Sequence, residues 1–269
     1  MAKIIAITNQ KGGVGKTTTA VNIAASLGAA KRRILLIDFD PQGNATMGSG
    51  VSKYDLKLSS KDVLFSTATA SEALQKTELG YDLLPANSEL TAAEIKILQI
   101  DQREYLLQRA LSELREEYDF IFIDCPPALN ILTVNALIAS DSVLIPIQCE
   151  YYALEGLAGL LQTIEQLKRT VNPQLKIEGL LRTMYDGRNR LTSEVSAHLV
   201  QNFADTVYNT IIPRNVRLAE APSHGLPVLL YDKNSPGSIA YLALAGEIVR
   251  RNELISQEVK LIKPQESAT

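Results

Sequence analysis

Short apolar runs alternate along this chain with longer segments of mixed polarity. Runs rich in Ile, Leu, Val and Phe recur at 4–7, 34–37, 83–84, 120–123, 143–147 and 177–181. They are too short for helices and unbroken in their hydrophobicity, which predicts strands covered on both faces. Between most of them lie helical patterns, notably at 18–28, 89–98, 103–117, 131–139 and 153–170. Strands alternating with helices need right-handed crossovers, so the pattern predicts an α/β fold with a mainly parallel, twisted sheet and helices on both faces. Ligands in such a sheet gather at the C-terminal ends of the strands. Segment 41–80, rich in Gly, Ser, Thr and Ala, reads as irregular chain with short helices. One domain is expected over 1–251, followed by a polar, frayed tail over 252–269.

Composition narrows the class. A 269-residue chain that is 46% hydrophobic can bury one large α/β core without a second domain. The net charge of −3 excludes a surface coated with basic residues. The charge is unevenly spread, however: residues 168–251 carry eleven Lys and Arg against seven Asp and Glu, which leaves room for a local polyanion-binding face. Cys125 and Cys149 form neither a C-x-x-C pair nor a disulfide framework, so a reducing compartment is expected. No apolar stretch approaches the roughly 18 residues a bilayer span needs, and no secretory signal pattern opens the sequence, so the expected location is the cytosol.

Residues 9–19 read Asn-Gln-Lys-Gly-Gly-Val-Gly-Lys-Thr-Thr-Thr. The core Gly15-Lys16-Thr17 fits the phosphate-loop pattern G-x-x-x-x-G-K-[ST], but Gln10 stands where its first glycine belongs, and an extra lysine, Lys11, precedes Lys16 by five positions. A strand before the loop and a helix after it supply the context the motif requires. Glycines at 12, 13 and 15 allow the backbone from Gly12 through Val14 to Gly15 to turn its N–H groups onto phosphate oxygens at the positive end of the helix. Lys16 is then placed for the β and γ phosphates and the Thr17 hydroxyl for Mg²⁺. Phosphoryl transfer depends on positioning and charge neutralisation, and Lys11 from a facing subunit would act across a two-fold interface as an arginine finger does.

Three aspartates at strand ends complete the chemistry. Asp38 and Asp40 flank Phe39 at a strand end and its turn, and separate roles are expected of them. Asp40 is assigned to the attacking water near the γ-phosphate and Asp38 to the Mg²⁺ shell. Asp124 follows Phe120-Ile121-Phe122-Ile123, the Walker-B arrangement in which a carboxylate after an apolar strand holds Mg²⁺ directly or through water.

The strings KGGVGKTTT, LLIDFDPQGNAT, FIFIDCPPAL, PIQCEYYALEGL and TIIPRNVRLAEAPSHGLPVLLYD resemble the ParA/Soj chromosome- and plasmid-partitioning ATPases, P-loop NTPases of the deviant Walker-A type, from about residue 2 to 251. The resemblance implies an ATP- and Mg²⁺-dependent enzyme that forms a homodimer on ATP, binds DNA without sequence preference, associates with the nucleoid, and is stimulated by a ParB-like protein. It implies that Lys11 contacts nucleotide across the dimer, that Lys16, Thr17 and Thr18 hold phosphate and Mg²⁺, and that Asp40 serves hydrolysis. Pro213 and Asn215 would hold adenine, with Met184 or Asp186 beside them, and Arg188 and Arg217 would bind DNA. MinD-like positioning ATPases share the loop, but they carry Asp-Ser-Pro-Ala-Gly where this chain has Asp124-Cys125-Pro126-Pro127-Ala128. They also end in a basic amphipathic helix for which 252–269 is a poor match, so no stable membrane association is expected. Two departures from the family pattern are Asn130, in place of glycine, and 233–237, less basic than usual.

Overall fold

The computed structural model describes the backbone of residues 1–262 and the side chains of residues 1–254. Among the described residues eight strands form one sheet: β1 (Lys3–Ile7), β2 (Ile34–Asp38), β3 (Gln75–Lys76), β4 (Asp82–Leu84), β5 (Phe120–Asp124), β6 (Ser142–Gln148), β7 (Lys176–Tyr185) and β8 (Val207–Pro213). Their order is β3-β4-β2-β5-β1-β6-β7-β8, and every pairing is parallel except that of the short edge strand β3. The α-helices are α1 (Lys16–Ala29), α2 (Asn44–Gly48), α3 (Ser60–Leu64), α4 (Ala70–Ala73), α5 (Glu89–Ile97), α6 (Leu106–Ala110), α7 (Ile131–Ala139) and α8 (Ala153–Thr170). They continue with α9 (Arg190–Phe203), α10 (Val216–Glu220), α11 (Val228–Tyr231) and α12 (Pro236–Ile262).

The unbroken hydrophobicity of the central strands follows from two cores rather than one. Alternate residues point to opposite faces, so Ile4, Ala6, Leu35, Ile37, Ile121 and Ile123 join one core with side chains from α5 to α8. Ile5, Ile7, Leu36, Phe120, Phe122 and Leu144 join the other, packed by α1 and α12. Register then levels the strand ends: Asp124 pairs with Ile7 on one side and Asp38 on the other. Parallel pairing therefore sets the loop after β1 beside two carboxylates. Among the described residues no helix is long and apolar enough to cross a membrane, and both cysteines are free and buried.

Four elements differ from expectation. The helix expected over 103–117 is a broken series, a 3₁₀ turn at Arg103–Tyr105, α6, and a second 3₁₀ turn at Glu113–Glu116. The Asn135 side chain accepts from Leu107 N and donates to Arg103 O, holding the first break, while Leu107, Leu111 and Leu114 still reach the core. Strand β8 carries Asn209 and Thr210 at its centre, and their N–H groups donate to the Glu247 carboxylate of α12, so a polar-looking segment is satisfied at the sheet edge. Helix α9 is amphipathic and lies in a segment where no helix was expected. Helix α12 continues without a break to Ile262, past residue 252 where a polar tail is expected; residues 263–269 of that tail lie outside the described residues.

Candidate active site

The loop leaves β1 already anchored. Thr8 N donates to Leu144 O, and the Asn9 side chain donates to Pro146 O at 2.8 Å while accepting from Lys11 N at 3.0 Å. Gly13 and Gly15 adopt φ of +73° and +87°, a region that side chains disfavour and the turn requires. Gly15 is also the N-cap of α1, so the free N–H groups of the first turn meet the loop's own. These groups surround a hollow of about 330 Å³ lined by Gly12, Gly13, Lys16, Thr17 and Asp40 among others. It shares Gly15, Thr18 and Met184 with a second hollow of about 410 Å³, which Pro213, Asn215 and Tyr241 also line. A small polar cradle joined to a larger, mostly apolar chamber has the proportions of a triphosphate and its base.

Charge in the cradle is unbalanced. Lys16 is buried, and its ammonium donates to Lys11 O at 3.3 Å. Burial lowers its pKa, opposed by the charges of Asp124, Cys125 and Asp40. Asp124 is fully buried and both its carboxylate oxygens are without a hydrogen-bond partner. Burial first, then the neighbouring Asp38, raises its pKa well above the ordinary value, while the nearby Thr17 hydroxyl pulls the other way. Such an orphaned carboxylate beside Thr17 fits a divalent cation, which would satisfy both oxygens at once. Asp38 is placed differently from the expected Mg²⁺ shell. Its Oδ2 accepts from Thr46 N and Oγ1, both at 2.7 Å, and its Oδ1 from Asp40 N. It therefore holds the start of α2 in place, and burial pushes its pKa up to about 7. Asp40, two residues on, faces the cradle. β2 ends at Asp38, so Asp40 belongs to the turn that follows and is set apart from Asp38 by that turn, while Asp38 is engaged with Thr46.

Lys11 lies outside the cradle of its own chain. Its ammonium is 2.5 Å from Glu150 Oε2 at the exposed rim, beside the surface aromatics Tyr151 and Tyr152. Arg188 and Arg217 are exposed, in the segments after β7 and β8, and both are ion-paired. Arg188 forms two bonds to Asp186, whose pKa falls to about 2 because of them, and Arg217 pairs with Glu220 and Asp232. Asp186 is thus engaged with Arg188, whereas Met184 lines both hollows. Residues that the sequence reading left unassigned include Gln42 and Asn44 in the cradle, Tyr241 in the base chamber, Glu150 at the rim, and Thr183, which donates to Val14 O. Glu150 lies within PIQCEYYALEGL, but only the fold brings it to Lys11.

A family model described as an AAA domain matches residues 2–177. The sporulation initiation inhibitor protein Soj of Bacillus subtilis is 52% identical over 249 residues, covering 92% of this chain and 98% of that protein. The chromosome partitioning protein ParA of Caulobacter vibrioides is 49% identical over 252 residues, covering 93% and 94%. Among solved structures, a Mycobacterium smegmatis protein named cobyrinic acid a,c-diamide synthase, with bound ATP analogue and magnesium, superposes with a TM-score of 0.83 at 38% identity over 94% of this chain and 96% of that one.

Proposed function

The chain belongs to the ParA/Soj family of chromosome-partitioning ATPases, and we propose that it acts as an ATP-gated switch that dimerises, holds DNA, and lets go on hydrolysis. It is an ATPase that uses ATP and Mg²⁺. Within the proposed cycle, the N–H groups of 12–18 and the Lys16 ammonium bind and orient the phosphates. The metal, when bound, neutralises charge on the β- and γ-phosphate oxygens, and Thr17 and Asp124 are the residues that would hold it. Asp40 holds the attacking water in line with the γ-phosphate.

The observation that carries the dimer is the position of Lys11. A lysine needed by its own phosphate site would point into the cradle, yet this one lies on the rim, paired with Glu150 and partly exposed. From there it is free to reach the triphosphate of a second copy. The aromatic pair Tyr151 and Tyr152, more than two-thirds exposed, belongs to the same face.

DNA binding is coupled to the nucleotide through chain connectivity. Arg188 follows Met184 by four residues, and Arg217 stands between Val216 and Leu218, so each candidate DNA contact is carried on, or just beyond, a segment that walls the base chamber. A ParB-like partner would bias the same two-state equilibrium toward release, and the switch would reside on the nucleoid while ATP is bound. Gel shifts with plasmid DNA across a salt series test this. With a hydrolysis-resistant ATP analogue, affinity should fall with a log–log slope of about three to six per dimer, and ADP should abolish it. An analogue-bound dimer that ignores DNA at low salt but floats with anionic liposomes would replace DNA with a membrane as the target.

A further inference from the structure

Thr183 sits on β7, 169 residues from the phosphate loop in sequence, yet it is 2% exposed and its hydroxyl donates to Val14 O at 2.9 Å. The bond spans the point at which the cradle meets the base chamber. Its neighbour Met184, which lines both hollows, has φ of +48°, a left-handed conformation uncommon for a side-chain-bearing residue.

The Val14–Gly15 peptide needs such a tether. Gly15 has φ of +87° and Gly13 +73°, so the chain on both sides of Val14 meets little steric resistance to rotation. A half-turn of that peptide plane would bring a carbonyl oxygen, instead of an N–H, to the phosphate side of the loop. In a planar trans peptide the two groups point in opposite directions. Fixing Val14 O toward β7 therefore turns the Gly15 N–H away from β7, toward the hollow that Gly12, Gly13 and Lys16 line.

We propose that Thr183 is a positioning residue for nucleotide binding: its hydroxyl locks the Val14–Gly15 peptide so that the Gly15 N–H faces phosphate. The bound nucleotide is thereby spared the cost of ordering the loop, and the effect applies to ADP and ATP alike. Lys11 and Asp40 are untouched, so the role concerns affinity rather than the hydrolytic step.

The test compares Thr183→Val with Thr183→Ser. Val keeps the shape and removes the donor; Ser keeps the donor and removes a methyl group. Affinity is read by fluorescent ADP with Mg²⁺, turnover by phosphate release across an ATP series, and fold integrity by thermal unfolding without nucleotide. Thr183→Val should weaken ADP and ATP binding about tenfold, equivalent to about 1.4 kcal/mol, and raise KM while kcat at saturation stays within about twofold. Thr183→Ser should bind within about threefold of the parent protein. Simple core packing reverses the order, with Ser the weaker binder. That reversal, or a folded Val variant with unchanged ADP affinity, overturns the proposal. If Val does not fold, a tenfold loss in Thr183→Ser overturns it, and near-parent binding by Ser supports it.

Discussion

Replacing Glu150 with Gln should make the ATP-bound chain dimerise more readily, because it removes the acceptor that keeps Lys11 at the rim. The ion pair is short, 2.5 Å, but its side chains are 40% and 48% exposed. Exposed pairs of this kind contribute about 0.2–1 kcal/mol. Two lysines must leave to close a symmetric dimer, so breaking both pairs beforehand favours dimerisation by about 0.4–2 kcal/mol, or roughly two- to thirtyfold in the dissociation constant. The assay is sedimentation velocity over a protein dilution series with saturating hydrolysis-resistant ATP analogue. Glu155→Gln is the control, since Glu155 is exposed on the first turn of α8 and makes the same charge change without touching Lys11. The gain should shrink as salt rises and screens the pair. An unchanged or weaker dimer in Glu150→Gln, with Glu155→Gln behaving identically, would refute the reasoning, because Glu150 would then have no part in restraining Lys11.

Other expectations follow from individual contacts. Lys16→Ala should weaken ATP binding by about a hundredfold or more, since it removes a buried cation facing phosphate, whereas Lys11→Ala should bind ATP normally by equilibrium dialysis and fail to dimerise or turn over. Arg188→Glu should weaken DNA binding in gel shifts with basal turnover unchanged, and Asp186→Asn should strengthen it by removing the carboxylate that pairs with Arg188. Glu247→Gln should cost about 1.5–3 kcal/mol in urea unfolding at neutral pH, because the carboxylate accepts from Asn209, Thr210 and Arg251. Burial alone would raise the Glu247 pKa, but these bonds outweigh it and hold the pKa below the usual 4.5. The contribution is therefore present above that value and disappears as pH falls through the lowered folded-state pKa, so parent and variant should converge in acid.

The central strands and the phosphate loop were legible because each depends on local pattern. Helices α7 and α8 match the predicted bounds, since their apolar spacing runs uninterrupted from an N-terminal break to a C-terminal one. Strand β8 was not legible, because the carboxylate that satisfies Asn209 and Thr210 is supplied from α12. The break between 103 and 117 was hidden for the same kind of reason, residing in the side chain of Asn135. At the site, Lys16 and Asp40, singled out by their place after a loop or strand, line the same hollow, and Asp124 ends β5 as its apolar run predicts. The task of Asp38 depended on Thr46, eight residues away in sequence and folded back on it. Thr183 and Glu150 carry no motif of their own, and their meaning arises only where β7 and the chain after β6 come alongside the loop.

The most direct test of the account is the molar mass of Asp40→Ala with ATP and Mg²⁺, measured by light scattering during size-exclusion chromatography. The role proposed for Asp40 means that hydrolysis should be blocked in this variant, so it should elute at twice the chain mass, and adding Lys11→Ala should return it to a single chain that still carries ATP. A single chain with ATP bound in Asp40→Ala, or a dimer that survives the loss of Lys11, would contradict the shared use of that lysine.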